Sequence, residues 1–499
     1  MSTTYLALTI GPIYKTLSGA RKTRELWGGS YLFSYLMEQI LEPFKDNDFI
    51  VPFIDKTLFD KEKKRTVGLF HDRAIFVAKE GDRKKLKNRI VEVLDELADN
   101  SPLDKKFVKN YFQINPVEVT LDDKENPILS ITPYLDTAEL FYRVAPYDES
   151  RLKKFLKEDN RYLKNRAFSS AEQKRGFPSL PEIALHELLE STDIRNYFAG
   201  RFDEEESVYE AAPYKKLIRS YHKYVAIVHA DGDNMGKVVE SLKNKDFQAF
   251  SKALLEFGRE ATDVIKNFGG TAVFAGGDDL LFFAPVVDNG RTVFELCDAI
   301  TEIFDDKMKP FNEKIEQNAT LSFGIGITYY KYPLYEALER SRNLLAKAKN
   351  EKKEKNAIAF EVIKHSGQTF GTVIPKSDER LYKPFLNLTH YPQNRENDEE
   401  VFLHSLHHKL AQHTKTVAKI ATMSNPEKRL KNFFDNYFNE SGHDAYREFF
   451  DALVPLIIQA YARFHTPDTQ KENDKEMDKA MQFVYAALRF KKFLLGDKS

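Results

Sequence analysis

The chain has 499 residues, 42% hydrophobic and 13% aromatic, with 75 lysines and arginines against 76 aspartates and glutamates. That length points to about three or four domains at roughly 150 residues each, and the apolar content excludes general disorder. A formal charge of −1 excludes bulk electrostatic coating of nucleic acid but leaves local basic surfaces open. In chain order, residues 5–11 read as a buried strand. Pro12 suits the first turn of a helix running toward Glu42, with a break expected at Gly28-Gly29. Residues 67–70 and 74–77 read as short strands meeting at His71-Asp72-Arg73, followed by a charged helix over 83–97 and a strand over 116–121. This is the order of a ferredoxin-like unit. Residues 127–221 are polar and helical, with a loop at 176–181.

A second unit of the same order follows. Residues 224–230 form a strand ending on Asp231, 236–268 are helical, and 271–275 and 280–284 are strands joined by Gly276-Gly277-Asp278-Asp279. Helical residues 292–316, with Pro310 a break, lead to a strand over 320–330, a helix over 334–350 and a last strand over 357–363. Beyond about 375 only helical spacing remains, at 401–421, 426–438, 445–464 and 475–495. The expected fold is α+β. It comprises a first ferredoxin-like domain (1–125), a helical linking domain (126–221), a second ferredoxin-like domain (222–374) and an all-α domain (375–499).

One cysteine, Cys297, allows neither a disulfide within the chain nor a CxxC zinc site, and fits a reducing compartment. Residues 1–10 lack the pattern of a signal peptide, and no apolar run reaches the roughly 18 residues that span a bilayer. The expectation is a soluble, cytoplasmic protein with no membrane partner.

The chemistry concentrates in the second unit. In a ferredoxin-like sheet the strand ending on Asp231 neighbours the Gly276–Asp279 hairpin, so three carboxylates converge. They would repel one another unless cations sat among them. Magnesium or manganese suits oxygen ligands and substrate phosphates, and two such ions serve an in-line displacement of pyrophosphate. Asp231, Asp278 and Asp279 are therefore the candidate catalytic and metal-binding residues. Gly276 and Gly277 permit a tight turn and close approach of a nucleotide. Backbone N–H groups over Asn234, Met235, Gly236 and Lys237 are placed to cradle a triphosphate. Lys349, in preference to Lys347, is the candidate phosphate contact. Taken alone, Gly-Gly-Asp-Asp is an ordinary turn sequence; Asp-Gly-Asp at the preceding strand end is what makes it a site. Asp233 has two readings, metal ligand or helix cap. The basic clusters at 83–89 and 151–166 read equally as nucleic-acid contacts or solvated helix faces.

Several stretches together resemble the large subunit of type III CRISPR effector complexes, most of all its Cmr-type branch. They are Thr9-Ile10-Gly11-Pro12 with Ala20 through Tyr31, Phe177-Pro178-Ser179 running into Glu182-Ile183-Ala184, Asp231 through Lys237, Gly276 through Asp279, and His365-Ser366-Gly367-Gln368. The resemblance implies paired palm domains that join ATP into cyclic oligoadenylate when a guide RNA pairs with target RNA. It also implies assembly with crRNA and other effector subunits, including a small helical one. ATP would lie between the palms with Ser30 a contact, whereas Trp27 reads better as a packing residue. Two departures are expected from the pattern. The first-palm strand starts at residue 5, leaving no room for an HD nuclease domain, and His71-Asp72 and His443-Asp444 lack the residues of one. One cysteine also cannot build the family's zinc element. The alternatives are the same chemistry with another product (an adenylyl conjugate of S-adenosylmethionine or a cyclic dinucleotide) and an inactive crRNA-binding scaffold.

Overall fold

The computed structural model describes residues 2–60, 62–140, 150–157, 161–168, 176–198, 214, 217–243, 245–350, 355–390, 399–437, 447–464 and 473–496. Two sheets of like build organise it. In the first, β1 (Ser2–Gly11) is central, pairing antiparallel with β3 (Arg73–Val77) and β4 (Gln113–Asp122), while β2 (Phe49–Val51) lies outside β3. The order β2-β3-β1-β4 is that of a ferredoxin-like unit. Side-chain alternation along β1 sets the layers. Leu6, Leu8 and Ile10 join the core containing residues of α2 (Thr23–Leu41), α3 (Asp82–Asp99) and α4 (Lys105–Tyr111). Ala7 faces the other way and packs with Ile75 and Leu121 under α5 (Pro127–Leu140).

Two local expectations are corrected. The helix does not break at Gly28-Gly29; α2 runs through both, and the chain turns earlier, between α1 (Ile13–Ser18) and Thr23. A Cβ at Gly29 would stand 3.1 Å from Leu17 Cδ2, so the glycine serves the close approach of α1. Residues 67–70 are not a strand. The Thr66 carbonyl accepts from the Trp27 indole at 2.6 Å, and the Phe70 N–H donates to Ser34 Oγ at 2.9 Å. Side chains of α2 satisfy backbone groups that a neighbouring strand would otherwise take.

Helices α6 (Ser150–Lys157), α7 (Arg161–Ala167), α8 (Leu180–Ala184), α9 (His186–Leu189) and α10 (Thr192–Phe198) come between the sheets in sequence. In the second sheet β5 (Tyr224–Asp233) is central, and α11 (Met235–Ser241) and α12 (Asp246–Asn267) lead to β6 (Thr271–Gly276) and β7 (Asp279–Pro285). A ribbon, β8 (Val287–Asp288) with β9 (Arg291–Thr292), precedes α13 (Val293–Asn312) and β10 (Thr320–Tyr329). The order β10-β5-β7-β6 repeats the first unit. Beyond β10, α14 (Leu334–Asn350) crosses to β11 (Ala357–Ile363), and β12 (Thr369–Pro375) closes the edge. β12 corrects the expectation that residues 357–363 are the last strand; His365 to Gln368 is the turn into it, with Gly367 at φ +82°.

The two faces of the second sheet belong to different cores. Ala226, Val228 and Ala230 of β5 share a core with α12, α13 and the C-terminal helices α15 (Glu379–Thr389), α16 (Glu399–Gln412), α17 (Thr414–Ala421), α18 (Pro426–Tyr437), α19 (Arg447–Phe464) and α20 (Asn473–Leu495). Val225, Ile227, Leu281 and Phe283 instead join the first unit's core around Trp27. No helix among the described residues is long and apolar enough to cross a membrane.

Glycine sets the seat of α14. A Cβ at Gly324 in β10 would stand 2.2 Å from both the Ser341 carbonyl oxygen and the Leu345 nitrogen. The helix therefore rests directly on the strand. Gly324→Ala is expected to cost about 2 kcal/mol, typical of overpacking against backbone, and to lower the urea midpoint in equilibrium unfolding.

Candidate active site

The site is built by strand register. β5 and β7 pair antiparallel up to Ala230↔Leu280, and one step further along sets Asp231 across from Asp279. β6 and β7 close on Gly276↔Asp279, so Gly277 and Asp278 form the turn, with Gly277 at φ +65°. That left-handed conformation favours glycine. Asp278 folds back over β5: a Cβ at Gly232 would stand 2.5 Å from Asp278 Oδ2. Gly232 was not singled out from the sequence; its place between two aspartates was the available signal.

Three carboxyl groups thus meet. Asp278 and Asp279 both lie within hydrogen-bonding reach of Asp231. Burial, followed by the charge of Asp231, pushes the Asp278 carboxyl up to about 7. Burial, followed by Asp278 and Asp231, pushes that of Asp279 up to about 8. Asp279 is nonetheless an exposed residue, so the cluster meets solvent there. Lys349, brought in by the close seat of α14, meets Asp231 Oδ2 and donates to the Gly232 carbonyl at 2.9 Å. The donor chemistry, oxygen atoms alone, fits a hard divalent cation. As the side chains stand, no group of three or more Asp, Glu, His or Cys among the described residues is disposed to hold a metal ion. Asp231 is turned to Lys349 instead.

Other expected residues are placed as follows. Asp233 is fully buried and caps no helix; its Oδ2 accepts from Thr320 Oγ1 at 2.9 Å, Ser322 Oγ at 2.7 Å and the Asn356 N–H at 3.0 Å. It ties β5 to β10 and the start of β11. Asn234 is the N-cap residue of α11 at φ +60°, and its Nδ2 donates to the Asn318 carbonyl at 3.0 Å. Lys237 reaches Gln317, and Gly236 faces open space. Lys347 points to solvent, so only Lys349 joins the cluster. Ser30, expected as an ATP contact, is 5% exposed and its hydroxyl donates to the Val273 carbonyl of β6 at 3.0 Å. It braces α2 to the second sheet. Trp27 is a packing residue, fully buried and stacked on Tyr31 and Phe177. In the basic clusters, Arg83 pairs with Glu118, Arg89 with Glu92 and Glu96, and Arg166 with Glu38. His443-Asp444 lies outside the described residues.

Among the described residues, the first unit has no such acid cluster at the matching positions. Its matching register is Thr9↔Arg73, which sets Thr9, Asp72 and Arg73 where the second unit has Asp231, Asp278 and Asp279. Arg73 is held by Asp136 and Glu139 at 2.7 Å each, and Glu139 also accepts from Thr9 Oγ1 at 2.7 Å.

Family comparisons agree with this division. Residues 224–359 match the Cas10/Cmr2 second palm domain, and residues 5–100 match the Cmr2 N-terminal domain. The CRISPR system Cmr subunit Cmr2 of Pyrococcus furiosus is 32% identical over 195 residues, covering 33% of this chain and 21% of that protein. The match therefore spans about a fifth of that relative's length. Among solved structures, a Csm1–Csm4 cassette in complex with cA4 superposes with TM-score 0.56 at 11% identity, over 99% of this chain and 70% of that one. A Csm1–Csm4 cassette in complex with one ATP gives 0.53 at 11%, with the same coverage. These structures establish likeness of fold.

The raised carboxyls give a pH signature. Their contribution to stability is complete below the unfolded carboxylate value near pH 4 and is lost as pH rises through the folded values of about 7 and 8. In cation-free buffer the melting temperature should fall between about pH 4 and 8, and Asp278→Asn/Asp279→Asn should flatten that slope. Added Mn2+ should raise the melting temperature more at the alkaline end, where it need not displace protons, and the double variant should lose that shift. Differential scanning fluorimetry reads both.

Proposed function

We propose that the chain is a Cmr-type large subunit of a type III CRISPR system, as its matches to the Cas10/Cmr2 second palm and Cmr2 N-terminal domains support, and that it is a nucleotidyltransferase that joins ATP into cyclic oligoadenylate. The observation that carries this reading is the convergence of Asp231 with Asp278 and Asp279, the latter two with raised proton affinity, beside Lys349. In the reaction a ribose hydroxyl attacks the α-phosphorus of ATP. The new P–O bond forms as the bond to pyrophosphate breaks, and the hydroxyl proton leaves to a site carboxylate or solvent. Asp231, Asp278 and Asp279 would hold Mg2+ or Mn2+, which supplies charge neutralisation of the phosphates.

The chain's own residues perform the rest. Gly276 and Gly277 form the tight turn that presents Asp278 and Asp279, Gly277 in the left-handed conformation that favours glycine. Lys349 exchanges Asp231 for a phosphate oxygen when substrate and cation enter, a move of one flexible side chain. Asn234 and Gly236, at the junction of β5 and α11, present backbone to the triphosphate. The Lys349–Asp231 ion pair describes a resting site. The proposed partners, crRNA, target RNA and neighbouring effector subunits including the small helical one, would shift it to the open form.

The test is an assembled complex with guide and target RNA, ATP and Mn2+, with products identified by mass spectrometry. Cyclic oligoadenylate and pyrophosphate are expected, and Asp278→Ala/Asp279→Ala should reduce both to background. Lys349→Ala should lower turnover by about 100-fold, as for loss of one preorganised charge at a reacting phosphate. Product unchanged in the double variant would remove the site assignment. A different product would keep the site and change the acceptor; no product from any nucleotide would favour the scaffold.

A further inference from the structure

The hairpin carrying Asp278 does not stand alone at its tip. A Cβ at Gly277 would stand 2.8 Å from His71 Cε1 and 3.2 Å from His71 Nδ1. His71 belongs to the first unit, and the matching registers make it that unit's counterpart of Gly277, one residue before Asp72 as Gly277 is before Asp278. Equivalent turns of the two units therefore meet, ring against glycine.

The loop behind His71 is anchored on both sides of the ring. Ile10 N–H donates to the Asp72 carbonyl at 2.9 Å, and Arg73 is anchored by Asp136 and Glu139. Upstream, Thr66 and Phe70 are held by Trp27 and Ser34 of α2. Trp27, Ser30 and Ser34 are spaced three and four apart and share a helix face. Ser30 on that face holds Val273 of β6, three residues before Gly276. One helix thus holds both the loop bearing His71 and the strand feeding the active-site turn.

We propose that His71 is a positioning residue: its imidazole, seated on the Cα of Gly277, fixes the turn that presents Asp278 and Asp279, so that the first unit sets the geometry of the second unit's site. This inference rests on the reading of that site as a nucleotidyltransferase. His71 touches no reacting atom in it. Its effect is on the placement of two carboxylates, so loss of the ring should lower turnover and leave nucleotide affinity alone.

A double-mutant cycle in the target-activated complex tests it. His71→Ala should lower kcat about tenfold with KM for ATP within about twofold. Gly277→Asn tolerates the left-handed turn but drives a Cβ into the imidazole, and should abolish most activity. His71→Ala/Gly277→Asn should recover at least about tenfold over Gly277→Asn alone, a coupling within the range for residues in contact. Wild-type kcat in His71→Ala, or additive effects in the cycle, would overturn the proposal while leaving the proposed function intact. Should the wild-type complex make no product, the functional reading fails instead. The same cycle is then read by Mn2+ affinity of the full chain in electron paramagnetic resonance, where coupling supports the positioning role and additivity overturns it. Unchanged melting curves for His71→Ala separate misplacement from unfolding.

Discussion

The register that sets Asp231 across from Asp279 concentrates negative charge where the protein encloses it. Three carboxyls within hydrogen-bonding reach are unfavourable unless something positive or a proton comes between them. In this chain it is the Lys349 ammonium, and both turn carboxyls hold their protons well above the usual range. The same repulsion that makes the resting site costly makes it receptive to a divalent cation. Stability and reactivity are opposed here, a common feature of catalytic clusters.

Glycines transmit this arrangement through the fold by admitting backbone where other residues would not. Gly324 lets α14 rest on β10, and that seat carries Lys349 to Asp231. Gly232 leaves the space that Asp278 occupies. Gly277 takes a left-handed turn and receives the His71 ring. Each replaces a flexible contact by a close one, and each is felt at the acids.

The helix α2 joins the two units. Its buried length fills the space between the first sheet and the outer face of the second, so the two share a hydrophobic core. A shared core resists independent movement of the parts more than a polar interface would. The first unit, whose own acid positions are occupied by Thr9 and Arg73, contributes structure to the site in place of chemistry.

Much of this was legible in the residues. The apolar strand leading to Asp231, which β5 carries on to Asp233, the Gly276–Asp279 turn and the repeated strand order are local patterns, and local periodicity carries them. Trp27 read as packing because a lone large aromatic buries well, whereas Lys347 and Lys349 share the last turn of one helix and no local signal separates them. The glycine pair at 28–29 and the apolar run at 67–70 misled for one reason: their conformations are decided by what packs on them, α1 and the hydroxyls of α2. The role of Ser30 was hidden likewise, since a serine's partner cannot be read from its neighbours in sequence. His71 against Gly277, and Asp233 locked between strands, are contacts between residues 206 and about 90 to 120 positions apart. Sequence determines which groups can make a site, because side-chain chemistry and periodicity are local; tertiary structure alone decides which of them meet, because that depends on the packing of distant segments.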